Sequence, residues 1–597
     1  MFKSISVTLA VVLASSLVTV GCKPQSPKEK AGETGSATDI NYDFTLSQKE
    51  FDALSKENQY MVARKILAPM YRGIAVDEFF DVTRGLQNPT VKYQDFVSDT
   101  QKKLQTPMSY NEVLRANDQI FGVEDNPETE ASEEIPAKFT GFDNDHPHQI
   151  TFAKLIDYPL SNDQFARWMS YFLANTIMFS PAREMESTFD TDINIVLGYL
   201  EGAILEKRPV RDIISGWLHN PARWRVSRSP ENHALEMFEL YLGIFNDTPE
   251  EQRNTINGGI ACESWYLTDE DEGYRLMKDL TKPEGGKTVQ VFDSYISTCH
   301  DLYAVVAGHP LVIPRVTEVI VNYFLDGAPE SVRLGLVEKI IKTNPVIFDD
   351  IFLAVLFSEE YLLNSTRVKT FEENAMGFLH SMHWTPRAFA NAVDGNSTGD
   401  NTTSAGGRDD LDSRIIDRML DSSNNENYVA VHSMGWASMD YKIGRTPFVP
   451  MDILSFSTYH RGIREAVLMN TRAYDGLRFP TDDDEDSSNN PFPIEDGAFY
   501  VAGTETFKPD LEDITPGDFI DLVFLSGLGR KATAEEKSTF LDIGETYQRG
   551  NGTNDNYLDL DGGVYTFVND NRADDFAERM FDYMSRLPEF YYFSAVN

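Results

Sequence analysis

The stretch TLSQKEFDALSKENQYMVARKILAPMYRG, residues 45–73, carries a helix start signal of a kind that recurs along this chain. Ser47 can cap the first turn and Glu50 lies three positions on. At that spacing each side chain bonds the other's backbone N–H in a capping box. Phe51, Leu54, Met61, Ile66 and Leu67 then return near one face of a 3.6-residue period. Similar apolar stripes run through SNDQFARWMSYFLANTIMF, TDINIVLGYLEGAILEK, VRDIISGWLHN, ESVRLGLVEKIIKT, VIFDDIFLAVLFSEEYL and TFEENAMGFLHSMHW. Near the end, residues 515–547 read as helix, glycine stop and capped helix, and DDFAERMFDYMSRLPEF is a further helix. GVYTFV, residues 563–568, is a strand candidate. The expected fold is mainly α: a large multi-helix body with long polar insertions and few short strands.

Breaks in the helical pattern set the expected division of the chain. Residues 1–21 read as a signal peptide and 22–42 as a lipidated N-terminus with a flexible tether. A helical body is expected over 43–393, a polar insertion over 394–427, and the C-terminal part of the same body over 428–597. Residues 122–149 and 481–495 are further acidic or polar loops. Loops this long inside a compact protein are functional or disordered. No fixed-period repeat is visible, which argues against a solenoid.

The signal reading rests on Lys3, an apolar run from Ile5 to Val20 too short to span a bilayer comfortably, and Gly21-Cys22. A small residue directly before Cys resembles a bacterial lipoprotein signal, in which Cys22 becomes the lipidated N-terminus. Thr19 stands where that pattern has Leu, so an ordinary cleaved signal or an uncleaved anchor stays open. Lys23 after the cysteine favours the outer membrane or cell surface, on either face. The polar stretch KPQSPKEKAGETGSATD buries too little apolar surface to offset ordering, and reads as a tether.

Charge narrows the partners. The formal net charge is −41 over 597 residues, which argues against nucleic acid, whose phosphates need basic neutralisation. It also disfavours contact with anionic lipid beyond an anchor. With Cys22 assigned to lipid, Cys262 and Cys299 remain. An even remainder in an exported chain predicts one disulfide closing a 37-residue loop. In the chain-entropy treatment such a loop contributes roughly 3–4 kcal/mol. Free thiols are one alternative. Haem at Cys299-His300 is another, although Ile296 occupies the place of the first cysteine in C-x-x-C-H.

Four stretches, taken in order, resemble the exported bacterial family called domain of unknown function 1800, over about residues 150–475. In SPENHALEMFELYLGIF, the residues Glu231, Asn232, Ala234, Glu236, Glu239 and Leu240 match; His233 replaces a Tyr and Leu235 an Arg. HPLVIPRVTEVIVNYFLDG resembles the family's His-Pro helix. LFSEEYLLNSTRVKTFEENAMGFL keeps the basic pair Arg367 and Lys369, with Thr370 in place of Pro. IGRTPFVPMDILSF keeps Gly444, Phe448 and Pro450, while Leu454 and Phe456 displace Gly and Trp. The resemblance implies a largely helical fold, export and pairing with a second exported protein. It implies no reaction.

Candidate chemistry is dispersed. Asp143, Asp145, His146 and His148 in DNDHPH combine imidazole with carboxylate, as zinc sites do, although the same residues make ordinary turns. His233 and Glu236 lie one helical turn apart, as do His380 and His383. The alternative for the first pair's helix is that Glu231 and Asn232 are buried partners of a basic residue such as Arg315 or Arg367. Acidic stretches at 269–272 and 482–486 offer calcium oxygens without EF-hand spacing. A divalent metal, zinc or calcium, is the one cofactor these residues suggest. The leading expectation is an exported, lipid-anchored cell-envelope protein that binds a partner protein or an extracellular polymer. The alternative is a metal-dependent envelope hydrolase.

Overall fold

The computed structural model describes residues 40–80, 95–121, 154–155, 158–178, 190–220, 223–224, 227, 229–268, 275–282, 285–369, 373–374, 377–378, 381, 460, 514–547, 556–568 and 570–596. The helices are α1 (Gln48–Asp52), α2 (Lys56–Leu67), α3 (Phe96–Gln105), α4 (Tyr110–Phe121), α5 (Asn162–Asn175), α6 (Asp190–Leu205), α7 (Val210–Leu218), α8 (Pro230–Leu242) and α9 (Pro249–Ala261). After two β-hairpins come α10 (Cys299–Gly308), α11 (Val312–Phe324), α12 (Glu330–Lys342) and α13 (Phe348–Leu356). The last elements are α14 (Pro516–Leu528), α15 (Ala534–Thr546), a third hairpin, α16 (Asp570–Met584) and α17 (Pro588–Tyr591). The fold is mainly α. Among the described residues, no single helix is long and apolar enough to cross a membrane.

Local sequence explains many of the helix starts. The Ser47–Glu50 capping box forms. Equivalent boxes start α9 at Thr248–Glu251, α10 at Thr298–Asp301 and α15 at Thr533–Glu536. Packing explains the rest. Trp168 of α5 is fully buried among Phe172, Phe324 of α11 and Phe352 of α13, mostly edge to face. The pair α8–α9 closes on two glycines. A Cβ at Gly258 would lie 2.8 Å from the Ala234 Cβ, and one at Gly259 would lie 2.9 Å from the Glu231 Cα. Glycine is poor inside a helix, and here it is needed for the close approach.

Both ends of the described body meet on the segment after α13. A π-helical turn, Glu360–Asn364, follows α13. On one side the Leu46 N–H donates to the Phe357 carbonyl (2.8 Å) and the Glu359 N–H to the Phe44 carbonyl (3.0 Å). On the other the Lys369 N–H donates to the Tyr591 carbonyl (2.8 Å) and the Phe593 N–H to the Arg367 carbonyl (2.9 Å). Beside these pairings Arg367 forms a fully buried ion pair with Glu373. Its Nη1 donates to Oε2 at 2.8 Å, its Nη2 donates to Oε1, and the Tyr323 hydroxyl donates to Oε1 at 3.0 Å. The guanidinium lies 4.6 Å from the Tyr323 ring centre and 4.9 Å from that of Phe593. Burial opposes the Arg367 charge, but Glu373 outweighs it and holds the pKa above the ordinary value.

Three more cations at this junction end on backbone carbonyls where helices finish. Lys65 donates to the carbonyls of Leu362 (3.0 Å) and Ser365 (2.9 Å), at the end of the π-helical turn. Lys369 donates to the Phe590 carbonyl in α17 (2.9 Å). Arg64 donates to the carbonyls of Leu525 (3.0 Å) and Gly527 (3.2 Å) in the last turn of α14. A helix C-terminus carries partial negative charge, which offsets part of the cost of burying a cation.

Replacing Glu373 with Gln leaves the Arg367 charge buried without its counterion. Stability should fall by about 3–5 kcal/mol, read from urea unfolding followed by near-UV circular dichroism. Lys65 gives a pH signature. Burial, then Arg367, lowers its pKa from 10.5 to about 7. Between those values the unfolded chain binds more protons than the folded one, so this group makes stability rise with pH across the window. Lys65→Met should flatten that slope in urea titrations at successive pH values.

Candidate functional site

Cys262 ends α9 and Cys299 begins α10; their sulfurs form a disulfide with a Cα–Cα distance of 4.5 Å. Free thiols and haem attachment at Cys299 are thereby excluded. The clamped loop holds two antiparallel hairpins, β1 (Trp265–Leu267) with β2 (Leu276–Lys278), and β3 (Val289–Val291) with β4 (Ser294–Ile296). Val291 and Ile296 are buried. The turn residue Phe292 has φ +50°, a left-handed value costly for a bulky side chain. Tertiary contacts hold it there: its N–H donates to the Asn254 Oδ1 (2.9 Å), and its ring packs on Phe238 and His309. The outer faces carry Tyr266 opposite Met277, and Tyr295, which is 75% exposed; Leu280 beyond β2 is 91% exposed.

Behind this head lies a cluster of imidazoles and aromatic rings drawn from separate segments. His219, the C-cap of α7, stacks on His300 of α10 at 4.9 Å and 14°. Tyr303, one turn after His300, meets both rings edge-on. Its hydroxyl lies 2.9 Å from the Trp224 Nε1 and 3.0 Å from the His233 Nε2. The Ser227 hydroxyl lies 3.0 Å from the His233 Nδ1, and Trp224 stacks on His233 at 4.1 Å.

The hydrogen directions follow from chemistry. An indole N–H only donates, so the Tyr303 oxygen accepts from Trp224. With its oxygen accepting from Trp224, the Tyr303 hydroxyl is placed to donate to the His233 Nε2. His233 therefore carries its proton on Nδ1 and donates to Ser227. Burial, then Arg223, pushes the His233 pKa well down and keeps the ring neutral. Burial raises that of Tyr303.

His233 and Glu236, the pair expected one turn apart as metal ligands, sit in different surroundings. Both ring nitrogens of His233 face hydroxyls in a fully buried site, while Glu236 is only half-buried. The near-parallel rings of His219 and His300 do not aim their in-plane lone pairs at one ion. Among the described residues, no group of three or more His, Cys, Asp and Glu side chains is placed to hold a metal ion. Asp143, Asp145, His146, His148, His380, His383 and Cys22 lie outside the described residues, as do the stretches 269–272 and 482–486. The alternative for the α8 start is also corrected: Glu231 is exposed, and Asn232 donates to the Ser227 carbonyl (3.0 Å). Arg315 donates to Glu318 and Arg367 to Glu373. Arg223 lies against His233 and Tyr241, and Arg315 packs at the Gly243 C-cap of α8.

No protein-family model, curated protein or solved structure matches the chain. His219, Trp224, Ser227 and Tyr303 had no signal in the sequence, because each sits alone in its own segment.

Tyr303→Phe removes the hydroxyl that joins Trp224 to His233 and leaves two buried polar atoms without partners. Stability should fall by about 1–3 kcal/mol, measured by chemical denaturation.

Proposed function

We propose that the protein is an exported, lipid-anchored component of the cell envelope that works by binding, with a second exported protein or an extracellular polymer as its partner. The observation that carries this reading is the disulfide-clamped head. It presents Tyr266, Met277, Leu280 and Tyr295 outward on short hairpins fixed to a buried base. Exposed Tyr and Met supply contact area at low entropic cost. The disulfide suits an oxidising compartment, in keeping with the signal and Cys22. The family resemblance belongs to the same proposal and supplies the idea of an exported protein partner.

The test is native mass spectrometry of the protein extracted with mild detergent from its own membrane. A lipid on Cys22 and a co-purifying polypeptide or glycan are expected. Tyr295→Ala and Tyr266→Ser should reduce that partner while leaving the near-UV spectrum unchanged. A bound transition metal at unit stoichiometry with no partner would overturn the reading in favour of a metal-dependent hydrolase.

A further inference from the structure

Four of the chain's ten histidines surround one ten-residue helix, α10, whose first residue anchors the disulfide head. Two of them, His309 and His233, offer a ring nitrogen as acceptor, a contact that the neutral ring makes and a charged ring loses. The Leu311 N–H donates to the His309 Nδ1 (3.2 Å), so that nitrogen presents a lone pair. The His309 ring packs at 4.8 Å on Phe292, the strained turn of the β3–β4 hairpin. The His233 Nε2 accepts from Tyr303 in the middle of α10. His219 and His300 stack at the start of α10, and the His219 Nδ1 lies 2.6 Å from the Ser215 carbonyl.

The charged surroundings reinforce this. Arg211 of α7 donates to the Ala307 and His309 carbonyls and lies against His309. Arg223 lies against His233. Lys278 of β2 covers Trp265, whose ring meets His300 edge-on. On the acidic side, Asp293 of the β3–β4 turn acts on His309, while Asp301 neighbours His300 and is engaged by the Ser297 and Thr298 N–H groups. Burial and Arg211 outweigh Asp293 and lower the His309 pKa. His309 and His233 thus bind fewer protons folded than unfolded, and their contribution to stability is lost as pH falls below the ordinary histidine range.

We infer that α10 is a proton-sensitive latch, closed near neutral pH and released by mild acid, so that the disulfide-clamped hairpins loosen from their base while remaining tethered. This inference concerns the scaffold of the head and does not depend on what the head binds.

The test is hydrogen–deuterium exchange of the full-length protein at about pH 7.5 and about pH 5, across the histidine titration range, corrected for intrinsic exchange. Peptides covering 289–312 should open about tenfold more at the lower pH, the effect of one pKa unit of coupling, while those of α14 should not change. Asn at position 309 keeps an acceptor for the Leu311 N–H and cannot be charged. His309→Asn should therefore reduce the acid response of these peptides, with the part carried by His233 remaining. Unchanged exchange in the wild type, or an equal response in the His309→Asn variant, would overturn the latch. So would acid opening that spreads equally to α14, since that reports global unfolding.

Discussion

The buried ion pair between Arg367 and Glu373 is the contact on which the meeting of the two ends of this fold depends. The segment that carries Arg367 accepts the N-terminal residues 44–46 along its start and the C-terminal residues 591–593 along its end. A charge in such a place is tolerable only when its partner is fixed and its faces are covered. Glu373 is held by Tyr323, and the guanidinium lies over the rings of Tyr323 and Phe593. Lys65, Lys369 and Arg64 solve the same problem differently, by ending on the carbonyls of finishing helices. Carbonyls at helix ends thus share with Glu373 the work of facing these side chains. The paired arginine also locks the geometry, because a planar guanidinium binds a carboxylate in one orientation.

The disulfide region works on another principle. Its hairpins are too short to be stable alone, and their attachment comes from residues elsewhere: Asn254 on the Phe292 backbone, Asn257 on the Gln290 carbonyl, and His309 under the Phe292 ring. α10 joins these supports. It carries one cysteine of the clamp, the tyrosine of the buried hydrogen-bond chain and the imidazole of His300, and it ends on His309. Local sequence gives this helix a good start at Thr298–Asp301. Its position is set by side chains from α7, α8 and the segment between them.

The helical fold was legible because its signals are local. Ser47 and Glu50 lie within one turn of each other, and the amphipathic stripe of α2 needs no information from elsewhere. The Cys262–Cys299 bridge was legible by elimination, and the strand Val564–Phe567 by its alternation. The two hairpins inside the clamped loop were not. Their strands are three residues long, and the tight turn of the second is Phe292-Asp293, which holds its backbone through tertiary packing where an Asn-Gly turn would do so intrinsically. The candidate site was hidden for a related reason. His233 stood out beside Glu236 because they share a helix face, yet its partners are Ser227, Trp224 and Tyr303. A hydrogen bond spanning 70 positions leaves no periodic trace.

The pairing of residues 591–596 with the 363–369 segment has a consequence for how the chain comes to be folded. During synthesis, the segment around Arg367 emerges with its N-terminal neighbours already available, but Phe593 and the carbonyl of Phe590 that Lys369 needs are made more than two hundred residues later. Until then the junction has one open side and an incompletely covered charge. The seam between these two segments therefore closes only once residues 590–596 have been made, however early the helices around Arg367 have formed.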